Sequence, residues 1–179
     1  MLKNFSKKDF TATNVLITIT VLMYIIQINI SNGGVLFGLN LYFLVYGFWW
    51  QPLSTIVAHG GIAHLGMNMF VLWQFGNLIE RFIGAKKFVA LYLITGLLTS
   101  ILSFAYIYYL DHNVNLVGAS GAICALLGFV AYYDKAQRNG IITWILLISV
   151  APLIIGLPIA WYAHFIGLAL GFLYAIIRK

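Results

Sequence analysis

The sequence predicts an all-α membrane protein with six transmembrane helices. Of the 179 residues, 63% are hydrophobic and only 8% are charged, whereas soluble domains carry about 25% charged residues. This composition excludes a soluble enzyme and a disordered chain, and the single cysteine excludes a secreted disulfide scaffold. Because one membrane helix needs about 20 residues, the length allows about six or seven spans with short connections.

Six apolar runs follow one another along the chain. They lie at residues 13–30, 62–79, 88–109, 119–133, 141–155 and 160–177. The first run follows three lysines, as a signal peptide would, but no small-residue cleavage site comes after it, so we expect a retained helix. The fourth run is too short to cross about 30 Å of hydrocarbon. We therefore expect residues 113–118 to enter the membrane in non-helical form, beside a water-accessible cavity.

The basic residues predict the orientation of these spans. All ten Lys and Arg side chains fall in four segments on one side: 1–12, 80–87, 134–140 and 178–179. The segments on the other side contain none: 31–61, 110–118 and 156–159. Since Lys and Arg collect in cytoplasmic loops, both termini are expected in the cytoplasm. The charges form no single basic stripe, which argues against nucleic acid as a partner.

The outer segment 31–61 is long for a connection between helices and is rich in Tyr, Phe and Trp. Tyr and Trp favour the membrane interface, so we expect this segment to lie at the outer surface of the lipid bilayer. No repeat or change of composition divides the chain, and a single membrane domain over residues 1–179 is expected.

Four polar side chains lie at one depth within the predicted spans. Ser120, His164 and Asn68 are about 20–22 Å from the cytoplasmic ends of their helices, and His64 is about 25 Å away. Polar groups inside a membrane are costly and are usually functional. This layer is therefore the candidate site.

The layer contains the groups that acyl transfer requires. Ser120 is a candidate nucleophile and His164 a candidate general base. Asn68 and His64 are one helical turn apart, and together with the Ser120 N–H they are candidate donors to an oxyanion. The four acidic residues are Asp9, Glu80, Asp111 and Asp134. None of them is expected near the layer, so a Ser–His dyad is predicted, with the imidazole held by packing.

Small residues predict how the serine and the histidine meet. Gly167 and Gly171 follow His164 on one helix face, and Gly121 and Gly128 follow Ser120. Small faces let membrane helices approach closely. If these two faces meet, the serine and the histidine come within hydrogen-bonding distance.

These residues also form motifs that resemble a known family. Residues 59–68 read H-x4-H-x3-N, residues 118–121 read G-A-S-G, and residues 163–171 read A-H-x-x-G-x3-G. Together with Trp49-Trp50 and Glu80-Arg81, they resemble the rhomboid intramembrane serine proteases, in the compact six-helix bacterial form. Glu80 and Arg81 are otherwise most simply a charge pair at a helix end.

The resemblance implies a role for each matching residue. Ser120 would be the nucleophile and His164 the general base, while Asn68, His64 and the Ser120 N–H would form the oxyanion hole. His59 would be a structural histidine of the outer loop, and Gly118 would support the nucleophile motif.

The implied reaction is hydrolysis of peptide bonds in or near transmembrane segments of other membrane proteins. No cofactor or metal is implied, and the oligomeric state is left open. Residues 152–161 and the fifth helix would form the cap and gate for substrate entry. The expected location is the bacterial inner (plasma) membrane.

Two features depart from the family pattern. Cys124 stands where many relatives carry a tyrosine that stacks on the base, and it is expected to be a small buried packing residue. Trp161 or Tyr162 could take over that stacking. No soluble domain is expected before the first span, although many relatives have one.

Three other functions are compatible with parts of the sequence. A small transporter or channel component would suit a broken helix and a wet polar layer, but the layer holds no buried charge. A haem or metal protein would suit four histidines, but only one pair lies within the membrane and no H-E-x-x-H motif exists. A catalytically silent rhomboid-like binding protein would lack the serine or the histidine, and this chain has both.

Overall fold

A computed structural model describes residues 11–110, 114–156 and 159–178. Within these residues the regular elements are all helices, and there is no β-strand, only an isolated bridge between Leu39 and Leu116. Three described helices are long and apolar enough to cross a membrane: Ala12–Asn29, Ala85–Tyr109 and Lys135–Ile154. The prediction of an all-α, multi-pass membrane protein is confirmed, while the count of six spans and the side of the termini stay predictions.

The amino-terminal half contains one long helix, three short ones and a helix in three sections. The helices are α1 Ala12–Asn29, α2 Gly33–Phe37, α3 Tyr42–Val45, α4 Gln51–Ser54, α5 Ile62–Val71 and α6 Asn77–Ile83. A π-helical section, Leu72–Gly76, joins α5 to α6. The outer segment, predicted only as a membrane-associated loop, is thus partly helical.

The carboxy-terminal half consists of four longer helices. They are α7 Ala85–Tyr109, α8 Ser120–Tyr133, α9 Lys135–Ile154 and α10 Trp161–Ile177. Helix α9 begins six residues before the predicted span, because the Asp134 carboxylate accepts hydrogen bonds from the Ala136 and Gln137 N–H groups at its start. An aspartate in this position is a strong helix N-cap.

Helix α8 lies at the centre of the molecule. Every residue from Gly121 to Ala131 is buried, as expected of a helix that is apolar on all sides. Helix α10 packs most closely against it, and α7 and α9 also contact it. By contrast, α1 buries only Thr13, Thr20 and Gln27.

Glu80 fixes the start of α1 from a different helix. Its carboxylate accepts hydrogen bonds of 2.8 Å from the N–H groups of Ala12 and Thr13 and from the Thr13 hydroxyl. These N–H groups are donors that a helix start leaves unpaired, and negative charge there also complements the helix dipole. The interpretation of Glu80 as a simple charge pair with Arg81 is therefore wrong.

We expect Glu80→Gln to lower the free energy of unfolding by about 1–3 kcal/mol, because a charged acceptor of three hydrogen bonds is lost. Arg81→Gln is the matched control: Arg81 is the exposed neighbour, and its change should stay within about 0.5 kcal/mol. Unfolding by heat or by a denaturing detergent measures both variants. Equal losses in the two would contradict the assignment.

Candidate active site

The non-helical residues 114–118 precede α8 and are held by the outer segment. Leu116 exchanges two backbone hydrogen bonds of 2.8 Å with Leu39. The Thr55 hydroxyl donates to the Leu116 carbonyl at 2.6 Å, and the Gly118 N–H donates to the Thr55 carbonyl at 3.0 Å. Backbone without a helix is tolerated at membrane depth only when its polar groups are paired in this way.

His59 connects the outer segment both to α1 and to the start of α8. The Gln27 side chain exchanges two hydrogen bonds with the His59 backbone, at 2.7 and 2.9 Å. The His59 ring donates from Nδ1 to the Val57 carbonyl at 3.3 Å and accepts at Nε2 from the Ala119 N–H at 3.5 Å. Burial, followed by the neighbouring His64 ring, lowers the pKa of His59 to about 4, so the ring is neutral at pH 7.

Ser120 and His164 are in hydrogen-bonding contact. The Ser120 Oγ lies 3.1 Å from the His164 Nε2. Ser120 is the first residue of α8 and is partly exposed, whereas His164 lies in the first turn of α10 and is buried. This pair can pass a proton from the hydroxyl to the imidazole.

Glycines bring α8 and α10 close enough for this contact. A side chain at Gly167 would collide with the Gly121 carbonyl, and one at Gly171 would collide with the backbone of Ala125. A side chain at Gly128 would meet the Leu168 carbonyl. The two helix backbones are therefore in direct contact. Ser120 and His164 lie at the same end of this contact, which places them within hydrogen-bonding distance.

The other ring nitrogen of His164 contacts a residue that sequence reasoning missed. The Ser149 Oγ, in α9, lies 2.9 Å from the His164 Nδ1, and Ser149 is fully buried. The imidazole is thus held by a hydrogen bond as well as by packing. The signal in the sequence is a serine that continues the buried face of α9, four residues after Ile145 and eight after Ile141.

The expected aromatic support for His164 is absent from the part of the chain that the structure describes. Tyr162 stacks on Tyr106 with ring centroids 4.0 Å apart, and Trp161 packs edge-on against Tyr106 and Phe165. Within that part, no aromatic ring is paired with the His164 ring. Cys124 is buried between the helices, near the face of Gly167.

The His64 ring lies beside Gly118, just before the start of α8. Gly118 has φ +126°, and a side chain there would come within 2.7 Å of the His64 ring and 3.7 Å of the Ser120 Oγ. The Gly60 N–H donates to the His64 Nδ1 at 3.5 Å. A neutral His64 therefore carries its hydrogen on Nε2, the atom 2.9 Å from that side-chain position.

Asn68 is not joined to the serine. Its side-chain amide donates to the His64 carbonyl one turn earlier, at 2.8 Å. Among the described residues no hydrogen bond links it to Ser120, although one N–H of the amide stays available. The Ser120 backbone N–H, at the start of α8, also has no acceptor among them.

No carboxylate of the described residues approaches this site. Glu80 and Asp134 are used at the starts of α1 and α9, as described above. Asp9 and Asp111 lie outside the described residues. Residues 157 and 158 of the predicted cap also lie outside them. In the described part of the chain, no group of three or more His, Cys, Asp or Glu side chains could hold a metal ion.

The fold and the site together define a multi-pass helical membrane protein with a serine–histidine pair between two helices in backbone contact. Comparison with known proteins identifies the group to which it belongs. The rhomboid domain family model matches residues 46–179. The chain belongs to the rhomboid family of intramembrane proteases.

Individual relatives agree with this assignment. The chain is 36% identical to the rhomboid protease GluP of Bacillus subtilis (strain 168) over 136 residues, which are 72% of this chain and 26% of that protein. It is 37% identical to RHOMBOID-like protein 4 of Arabidopsis thaliana over 134 residues, 69% of this chain and 32% of that protein. It is 30% identical to the rhomboid protease AarA of Providencia stuartii over 155 residues, 75% of this chain and 55% of that protein. The chain thus matches between about a quarter and about half of the length of these relatives.

We expect Gly171→Ala to destabilise the protein by about 1–3 kcal/mol, because the new methyl group has no room against the Ala125 backbone. Gly140→Ala is the matched control. Gly140 is exposed in α9 and a side chain there meets nothing, and alanine is the better helix former. Thermal unfolding in detergent compares the two, and a Gly171 variant as stable as the Gly140 variant would contradict the helix contact described here.

Proposed function

We propose that the chain is an intramembrane serine endopeptidase that hydrolyses peptide bonds in or near transmembrane segments of other membrane proteins. The observation that carries the proposal is the 3.1 Å contact between the Ser120 Oγ and the His164 Nε2. A serine becomes a nucleophile when a neighbouring base accepts its proton. Membership of a family of intramembrane proteases supports peptide bonds of membrane proteins as the substrate.

The chemistry follows the general order of acyl transfer. His164 Nε2 accepts the Ser120 proton while Oγ attacks the carbonyl carbon and the carbonyl oxygen becomes an oxyanion. When the C–N bond breaks, His164 gives the proton to the leaving amine, and the acyl group stays on Oγ. Water then attacks the ester, with His164 again accepting a proton, and Ser120 leaves with its hydroxyl restored.

The oxyanion is stabilised by hydrogen-bond donors around the start of α8. The Ser120 N–H is one, because it has no helical acceptor. The His64 Nε2–H is the second, since the ring lies against Gly118 and its other nitrogen accepts from Gly60. The unused N–H of Asn68 is a third candidate, while its bond to the His64 carbonyl also steadies that helix turn.

The proposal includes the setting of the site. Six spans, with both termini in the cytoplasm of a bacterium, are supported by ten basic residues on one side of the predicted spans. Residues 1–179 would form one membrane domain in the inner membrane, with a water-accessible cavity on its outer side. Hydrolysis requires water, and residues 114–118 with the partly exposed Ser120 line the side from which it would enter.

A fluorophosphonate probe tests for an activated serine in the purified protein. We expect covalent labelling of the wild type and of Cys124→Ala, and none of Ser120→Ala or His164→Ala. Thermal unfolding confirms that each variant is folded. Labelling that survives Ser120→Ala would contradict the mechanism, and a folded wild type that neither labels nor cleaves would favour the silent binding protein.

The contributions of the two side-chain oxyanion donors are distinguished by measuring kcat for His64→Ala and Asn68→Ala on a cleavable transmembrane substrate. Removing one oxyanion donor typically lowers kcat by about 10²–10³-fold. We expect this loss for His64→Ala and a smaller one for Asn68→Ala, because the amide is partly engaged within its own helix. A larger loss for the Asn68 variant would reverse the assignment of the main side-chain donor.

A further inference from the structure

We propose that Ser149 is a positioning residue that holds the His164 ring in place and, as the acceptor for Nδ1–H, supports its catalytic tautomer. This inference rests on the proposed function. A neutral imidazole carries one hydrogen, on either Nδ1 or Nε2. To accept the Ser120 proton, Nε2 must be bare, so the hydrogen must lie on Nδ1. The Ser149 Oγ, 2.9 Å from Nδ1, can accept that hydrogen.

The same contact serves the next step of the reaction. When His164 accepts the second proton it becomes an imidazolium with N–H groups on both nitrogens. The Ser149 oxygen continues to accept from Nδ1–H and so stabilises the charged ring. In serine proteases with a triad, a carboxylate has this position and this task. Here a neutral hydroxyl from α9 takes it.

Three buried hydroxyls of α7 are bonded differently from that of Ser149. The hydroxyls of Thr95, Thr99 and Ser100 each donate to the carbonyl four residues earlier in α7. That is the usual arrangement for such side chains inside an apolar helix. Ser149 makes no such bond among the described residues and reaches across to α10 instead.

No other described group can take over this role. Ser149 and Ser120 are the two hydrogen-bond partners of His164, and no aromatic ring is paired with it. Ser149 is fully buried, in a helix whose other buried residues are Ile141 and Ile145. A buried hydroxyl among apolar residues is unfavourable unless it is hydrogen-bonded, and this one has His164 as its partner.

Three variants and two measurements test the inference. Ser149→Ala removes the hydroxyl, Ser149→Thr keeps it, and Ser100→Ala removes a buried hydroxyl that bonds only within its own helix. We expect Ser149→Ala to lower kcat and the rate of fluorophosphonate labelling about 10-fold, the equivalent of one hydrogen bond, with KM unchanged. Ser149→Thr should recover most of the rate, and Ser100→Ala should keep it.

The nitrogen NMR spectrum of protein labelled with [15N]histidine reads the tautomer directly, with the His164 signals assigned by their loss in His164→Ala. The wild type should show the hydrogen on Nδ1, and Ser149→Ala should show a mixture of both tautomers. Two results would overturn the inference, whatever the values of kcat and of the labelling rate. One is a wild type with the hydrogen on Nε2, and the other is a Ser149→Ala spectrum unchanged from that of the wild type. Failure of the proposed function can be told apart from failure of this inference. In that case the wild type does not react with the fluorophosphonate probe, while the His164 tautomer can still be measured.

Discussion

The direct contact between the backbones of α8 and α10 is the constraint on which the rest of the structure depends. It exists because Gly128, Gly167 and Gly171 carry no side chains. In lipid there is no hydrophobic force between two apolar helices, so association depends on close packing and on hydrogen bonds across the contact. The same approach that buries α8 also brings a serine of one helix to a histidine of the other, so the packing contact and the candidate catalytic pair share one interface.

The second constraint is the set of polar side chains that join the outer segment and α1 to the rest of the molecule. Thr55 pairs with the non-helical residues before α8, Gln27 pairs with the backbone of His59, and Glu80 pairs with the start of α1. Each of these side chains crosses between elements that are distant in the sequence. They hold the outer segment and the start of α8 in register, and that register sets where His64 and Ser120 lie relative to each other.

Much of this arrangement could be predicted from the sequence, and the errors have physical reasons. The helical class and the motif residues followed from composition and from polar groups at one depth. The prediction for Glu80 is wrong because neighbouring opposite charges suggest an ion pair, whereas the carboxylate pairs with N–H groups 67 and 68 residues away. The predicted start of α9 is too late because lysine and arginine are typical of loops, although Asp134 caps the helix before them.

Taken alone, the sequence determined that the chain is a helical membrane protein, because so apolar a chain has too few polar residues to cover a soluble surface. It also predicted candidate catalytic residues, because few strongly polar side chains lie within apolar runs. Only the tertiary structure decided the partner of each one: Ser149 on His164, and Asn68 on its own helix. Such partners depend on how each helix is rotated about its axis and shifted along it relative to its neighbours. A helix that is apolar on all sides, as α8 is, leaves both undetermined by the hydrophobic pattern.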